Sequence, residues 1–137
     1  MRIFVDTGSL RAFITPRDQF HNKTIHVLEA IRPQKPILIT TDYILNETFT
    51  LLLTDTKAGY YRVRSFEEWF FSKRSVQIEW IDKQRFFKTK ELFLKTSKDK
   101  LWSFTDCTSY VVMKELGINT AFSFDEHFKQ MGFSLLS

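Results

Sequence analysis

Cysteine appears once in this chain, at Cys107. That excludes an internal disulfide and any zinc site built on two or four thiolates. Glycine and proline are scarce, four and three residues among 137. An all-β sandwich needs turns every ~8–12 residues, so the shortage argues for long helices instead. No apolar run approaches the ~20 residues of a membrane span. The opening Met1-Arg2-Ile3-Phe4-Val5-Asp6 meets charge too early for a secretory signal. Together these absences predict a cytoplasmic protein with no membrane association. His21, His26 and His127 lack the H-E-x-x-H spacing of a zinc protease.

What is abundant is phenylalanine, fifteen residues, and positive charge, a net +4 with a pI near 9.2. A basic balance suits a polyanionic partner such as nucleic acid. The length suits one domain, 1–137, with a real core. Short apolar runs occur at Ile3–Val5, Pro36–Ile39, Val76–Ile81, Ala121–Phe124 and Phe133–Leu136. Segments of helical period separate them: Arg17–Ile31, Asp42–Thr54, Ala58–Ser72, Asp82–Lys95 and Thr105–Leu116. Such alternation predicts an α/β fold, a three-layer α/β/α sandwich around a mainly parallel sheet. Thr40 or Thr41 can cap the helix after the second strand, and Gly117 can end the helix before the fourth.

Four acids then stand out. Asp6 and Asp125 close apolar runs, so both project from the carboxyl edge of the sheet, where open parallel sheets bind ligands. Glu47 lies mid-helix, inside the apolar sector between Tyr43 and Leu51, and a glutamate there needs a partner or a polar pocket. Asp106 begins the helix after Ser103 in capping-box spacing. Taken singly, each aspartate reads more readily as a helix cap. Jointly they map to one rim, where clustered carboxylates call for a hard cation, Mg²⁺ or Mn²⁺.

These residues also carry a resemblance. Val5-Asp6-Thr7-Gly8-Ser9, Asn46-Glu47-Thr48, Ser103-Phe104-Thr105-Asp106-Cys107-Thr108-Ser109-Tyr110 and Phe122-Ser123-Phe124-Asp125-Glu126-His127-Phe128 look like the motifs of PIN-domain ribonucleases. Trp102 to Phe133 resembles in particular the toxin subunits of VapBC-type toxin–antitoxin pairs. The resemblance implies a PIN-like fold and an endoribonuclease dependent on Mg²⁺ or Mn²⁺. It also implies an RNA substrate, a cognate antitoxin whose tail fills the cleft, and a homodimer. Carried over residue by residue, Asp6, Glu47, Asp106 and Asp125 form the catalytic quartet. Asp6, Asp106 and Asp125 are expected to hold metal, Glu47 to orient the attacking water, and Thr7, Ser9 and Ser109 to support the site. Asp99 is a further acid or an exposed loop charge.

The segment from Lys83 to Lys90 mixes cations and aromatics, which suits phosphate contact and base stacking. Arg85 and Lys88 are candidates for substrate binding there, with Arg11 beside the first motif. Phe86, Phe87 and Phe93 read as core. The aromatic stretches Ala58–Tyr61 and Trp69–Phe71 divide between core and a partner surface. The alternative to an enzyme is a non-catalytic PIN-like module that binds RNA or protein. Asp6-Thr7-Gly8 is also the signature of aspartic proteases, but those are all-β and need a second copy, which this chain lacks.

Overall fold

A computed structural model describes residues 1–137 except Thr56, Arg74 and Ser137. Five strands form one sheet: β1 (Arg2–Val5), β2 (Ile37–Thr41), β3 (Val76–Glu79), β4 (Thr120–Phe122) and β5 (Ser134–Leu136), in the order β3-β2-β1-β4-β5. Every pairing is parallel. Among the described residues seven α-helices surround the sheet: α1 (Thr7–Ile14), α2 (His21–Ile31), α3 (Asp42–Leu53), α4 (Gly59–Lys73), α5 (Lys83–Thr96), α6 (Phe104–Leu116) and α7 (His127–Gln130). The expected α/β architecture is present. No described helix is long and apolar enough to cross a membrane.

Alternation along β1 explains the layering. Ile3 and Phe4 are both wholly buried but belong to different clusters. Ile3 joins Ile31 and Phe122, whereas Phe4 joins a larger core with Leu52, Phe66, Val112 and Phe128. Successive side chains of a strand point to opposite faces, so a fully buried β1 has cover on both. Each fully buried phenylalanine contributes roughly 2–3 kcal/mol over exposure.

The sequence pattern missed α1, because Thr7-Gly8-Ser9 has poor intrinsic helix propensity. Tertiary structure supplies what propensity lacks: Leu10 and Ala12 are buried, and Ser9 Oγ donates to the Phe122 carbonyl at 2.8 Å. The expected helix ends are present. Thr41 Oγ1 accepts the Ile44 amide at 3.1 Å, and Gly117 ends α6 at φ 67° in the left-handed region. Gly59 permits the α3–α4 junction, since a Cβ there would lie 2.2 Å from the Leu53 carbonyl oxygen.

β3 stops two residues short of the expected run, where the Ile81 amide turns to Asp42 Oδ1 at 2.8 Å. Phe93 packs on the core as expected, but Phe86 and Phe87 do not: they are 40 % and 49 % exposed. Trp69 and Phe70 pack in the core region, whereas Tyr60, Tyr61 and Phe71 face solvent.

Candidate active site

The chain order of the strands reverses beside β1. From β1 it proceeds outward to β2 and β3, then returns to place β4 on the other flank. Val5 pairs with Phe122, so β1 and β4 end level with one another. Such a switch point leaves a crevice outside the carboxyl ends of the two strands. Asp6 emerges from one strand and Ser123-Phe124-Asp125 from the other.

Asp6 stands at the N-cap position of α1, yet its side chain makes no capping hydrogen bond. Capping therefore does not account for it. Its carboxylate instead accepts from Ser123 Oγ at 2.9 Å, and that hydroxyl accepts the Asp125 amide at 2.9 Å. The chain Asp125–Ser123–Asp6 locks the two strand ends together. Burial pushes the Asp6 carboxyl up from 3.8 to about 7. Ser123 and the nearby Thr7 amide oppose the rise, while the charges of Asp106 and Asp125 add to it.

Asp106 does form the capping box: Ser103 Oγ accepts its amide at 2.9 Å, and its Oδ2 accepts the Ser103 amide at 3.0 Å. The cap is not its whole role. The same Oδ2 lies 2.8 Å from His127 Nδ1, and that nitrogen is 3.3 Å from Asp125 Oδ1. Asp125 Oδ1 also accepts the His127 amide at 2.9 Å.

Glu47 is half-buried on α3. Its carboxyl is raised, chiefly by burial and then by the charge of Asp106, with a further contribution from Asp125. The Thr105 and Thr7 side chains favour its charged form. Asp6, before α1, and Glu47, on α3, therefore both sense the charges of Asp106 on α6 and Asp125 in the β4–α7 loop.

The remaining residues divide. Ser9 bonds to the Phe122 carbonyl, and Ser109 Oγ bonds to the Thr105 carbonyl inside α6, so both brace the frame that carries the acids. Asp99, with Lys100, Leu101, His127 and Gln130, lines an open hollow of about 400 Å³ beside the cluster. Arg11 sits half-buried in the last turn of α1. Arg85 and Lys88 are engaged elsewhere. Arg85 reaches Glu115 at 2.9 Å and Glu79 at 3.0 Å, and Lys88 reaches Glu115 at 3.0 Å. Truncating Arg85 to Ala leaves the partly buried Glu79 without its partner and Glu115 with Lys88 alone. Chemical denaturation should show a stability loss of about 1–3 kcal/mol.

His127 was missed by sequence reasoning, which tested histidines only against zinc-protease spacing. Its signal was proximity: two residues beyond Asp125, at the start of a one-turn helix whose next residue, Phe128, is wholly buried. Asp106, Asp125 and His127 each offer an atom within 4.8 Å of the others, close enough to share a metal ion. A buried carboxyl at Asp6, raised further by the charges of Asp106 and Asp125, fits the same requirement for a cation.

The PIN domain model matches residues 3–134. A 23S rRNA-specific endonuclease of Mycobacterium tuberculosis, VapC20, is 31 % identical over 131 residues, 96 % of this chain and 95 % of its own length. A VapC ribonuclease of Archaeoglobus fulgidus is 30 % identical, over 93 % of this chain and 80 % of that protein. The crystal structure of VapC20, described as a toxin cleaving the sarcin-ricin loop, superposes with a TM-score of 0.79 over 96 % of this chain and 95 % of that one, at 27 % identity. VapBC2 of Rickettsia felis, solved bound to a DNA fragment from its promoter, shares the fold at 17 % identity, with a TM-score of 0.70 over 98 % and 97 % of the two chains. An acid-lined crevice at the switch point, a matching family model and relatives of nearly equal length agree, and the chain belongs to the PIN-domain family as a ribonuclease of the VapC type.

Proposed function

We propose that this chain is an endoribonuclease dependent on Mg²⁺ or Mn²⁺, the toxin of a toxin–antitoxin pair, hydrolysing RNA phosphodiesters in the cytoplasm. The observation that carries the proposal is Asp6, a buried carboxyl raised to about 7 and facing Asp106 and Asp125 at the mouth of the sheet. Proteins keep such electrostatic strain mainly where they use it.

Asp6, Asp106 and Asp125 would hold the metal. When bound, the cation lowers the pKa of a coordinated water and neutralises charge developing on the phosphate. The residues do the rest. Ser123 fixes Asp6 against Asp125, and the Ser103 cap fixes the rotamer of Asp106. Glu47, raised by burial, is suited to orient the attacking water and take its proton. Phe86 and Phe87 stand exposed on α5, and Lys90 lies 5.3 Å over the Phe87 ring; this mixture supports contact with unpaired RNA.

Similarity to VapC20, a 23S rRNA-specific endonuclease, makes 23S rRNA the first substrate to be tried. Purified chain incubated with it should yield discrete cuts in Mg²⁺ or Mn²⁺ and none in EDTA, read by primer extension. Cleavage undiminished in EDTA would refute metal dependence. Co-expression with the antitoxin should suppress the cuts, and mixing tagged and untagged copies should recover a homodimer.

A further inference from the structure

Resting on the metal-dependent reading above, we infer that His127 Nδ1 is a metal ligand beside Asp106 and Asp125, and that this nitrogen biases the site toward Mn²⁺ over Mg²⁺.

The geometry has two parts. Ligands at right angles on bonds of about 2.1 Å stand about 3.0 Å apart, the edge of an octahedron. His127 Nδ1 lies 2.8 Å from Asp106 Oδ2 and 3.3 Å from Asp125 Oδ1, which brackets that edge. The backbone that carries the ring is also held. The His127 amide is anchored on Asp125 Oδ1, and Phe128 is wholly buried against Phe4, their rings 6.2 Å apart. A side chain on an anchored backbone, with Nδ1 already turned to both carboxylates, meets an ion with less further loss of freedom.

The chemistry follows from the donor set. Without an ion, Nδ1 can face the carboxylates only as an N–H donor. With an ion between them, the same atom presents its lone pair. Mg²⁺ prefers oxygen alone and holds its waters tightly, whereas imidazole suits the first-row transition ions. An oxygen-only site was the expectation from sequence, and His127 adds a nitrogen to it.

The test uses the full chain and the metals alone. Mn²⁺-loaded protein is examined by electron spin-echo envelope modulation, and Mn²⁺ and Mg²⁺ affinities are measured by calorimetric titration. Modulation from a coordinated ¹⁴N is expected in the parent and absent in His127→Asn, whose amide still hydrogen-bonds the carboxylates. That variant should lose about tenfold or more in Mn²⁺ affinity, with Mg²⁺ affinity changed less than about threefold. Should His127→Asn misfold by circular dichroism, the parent spectrum and His127→Gln decide the matter. Bound Mn²⁺ without ¹⁴N modulation, or an equal loss for both ions, overturns the inference and leaves the nuclease reading standing. No binding of either ion to the parent overturns both.

Discussion

Replacing Asp6 with Asn should lower RNA cleavage by on the order of 10³-fold while the fold persists. Asparagine keeps the shape and the oxygen that accepts from Ser123 at 2.9 Å. It removes the negative charge that would draw a cation into the crevice. A metal supplies several kcal/mol of transition-state stabilisation, and each 1.36 kcal/mol is a factor of ten in rate. Single-turnover cleavage of 23S rRNA in Mn²⁺, with saturating enzyme, separates this loss from weakened substrate binding. A variant cutting within tenfold of the parent would remove Asp6 from the chemistry.

The same substitution should act in the opposite sense on stability. With metal chelated, the native chain keeps Asp6 protonated up to about pH 7, whereas the unfolded chain loses that proton near 3.8. Across this window the native state binds more protons, so stability falls as pH rises and levels off above about pH 7. At 1.36 kcal/mol per pH unit, the gap between 3.8 and about 7 sets a ceiling of roughly 4 kcal/mol. Glu47 is raised as well and adds to the trend. Asp6→Asn has no such proton to lose. In EDTA at pH 8 it should melt higher than the parent, by on the order of 10 °C, with the difference closing toward pH 4. Added Mn²⁺ should restore the parent by mass action and do far less for the variant. Melts of both proteins from pH 4 to 8 provide the check, and parallel curves would refute the strained carboxyl. Gain in stability with loss of function is the pattern expected when a site is strained for use.

Much of this was legible from the chain because strands and helices alternate with different periods and the acids fall at their junctions. Each strand run, and each longer helix after β2, was visible in that pattern. What stayed hidden depended on contacts between distant segments. α1 has the composition of a turn and becomes a helix because Leu10 and Ala12 are buried and Ser9 grips β4. The ion pairs of Arg85 and Lys88 stayed hidden because nothing local shows Glu115, thirty and twenty-seven residues away, as their partner. Phe86 and Phe87 looked like core because helical period cannot say which side of α5 is covered. The acids could be placed on one rim, but Asp6 and Asp106 differ in a way only coordinates reveal. One is free of capping, and the other caps and faces the cluster at once. His127 needed knowledge of where α7 points.

The hydrogen bond from Ser123 to Asp6 spans 117 positions of chain. At ~5–20 residues per second, a ribosome takes roughly 6–23 s to travel from one to the other. Until β4 arrives to flank β1, the nascent chain has only one wall of the crevice.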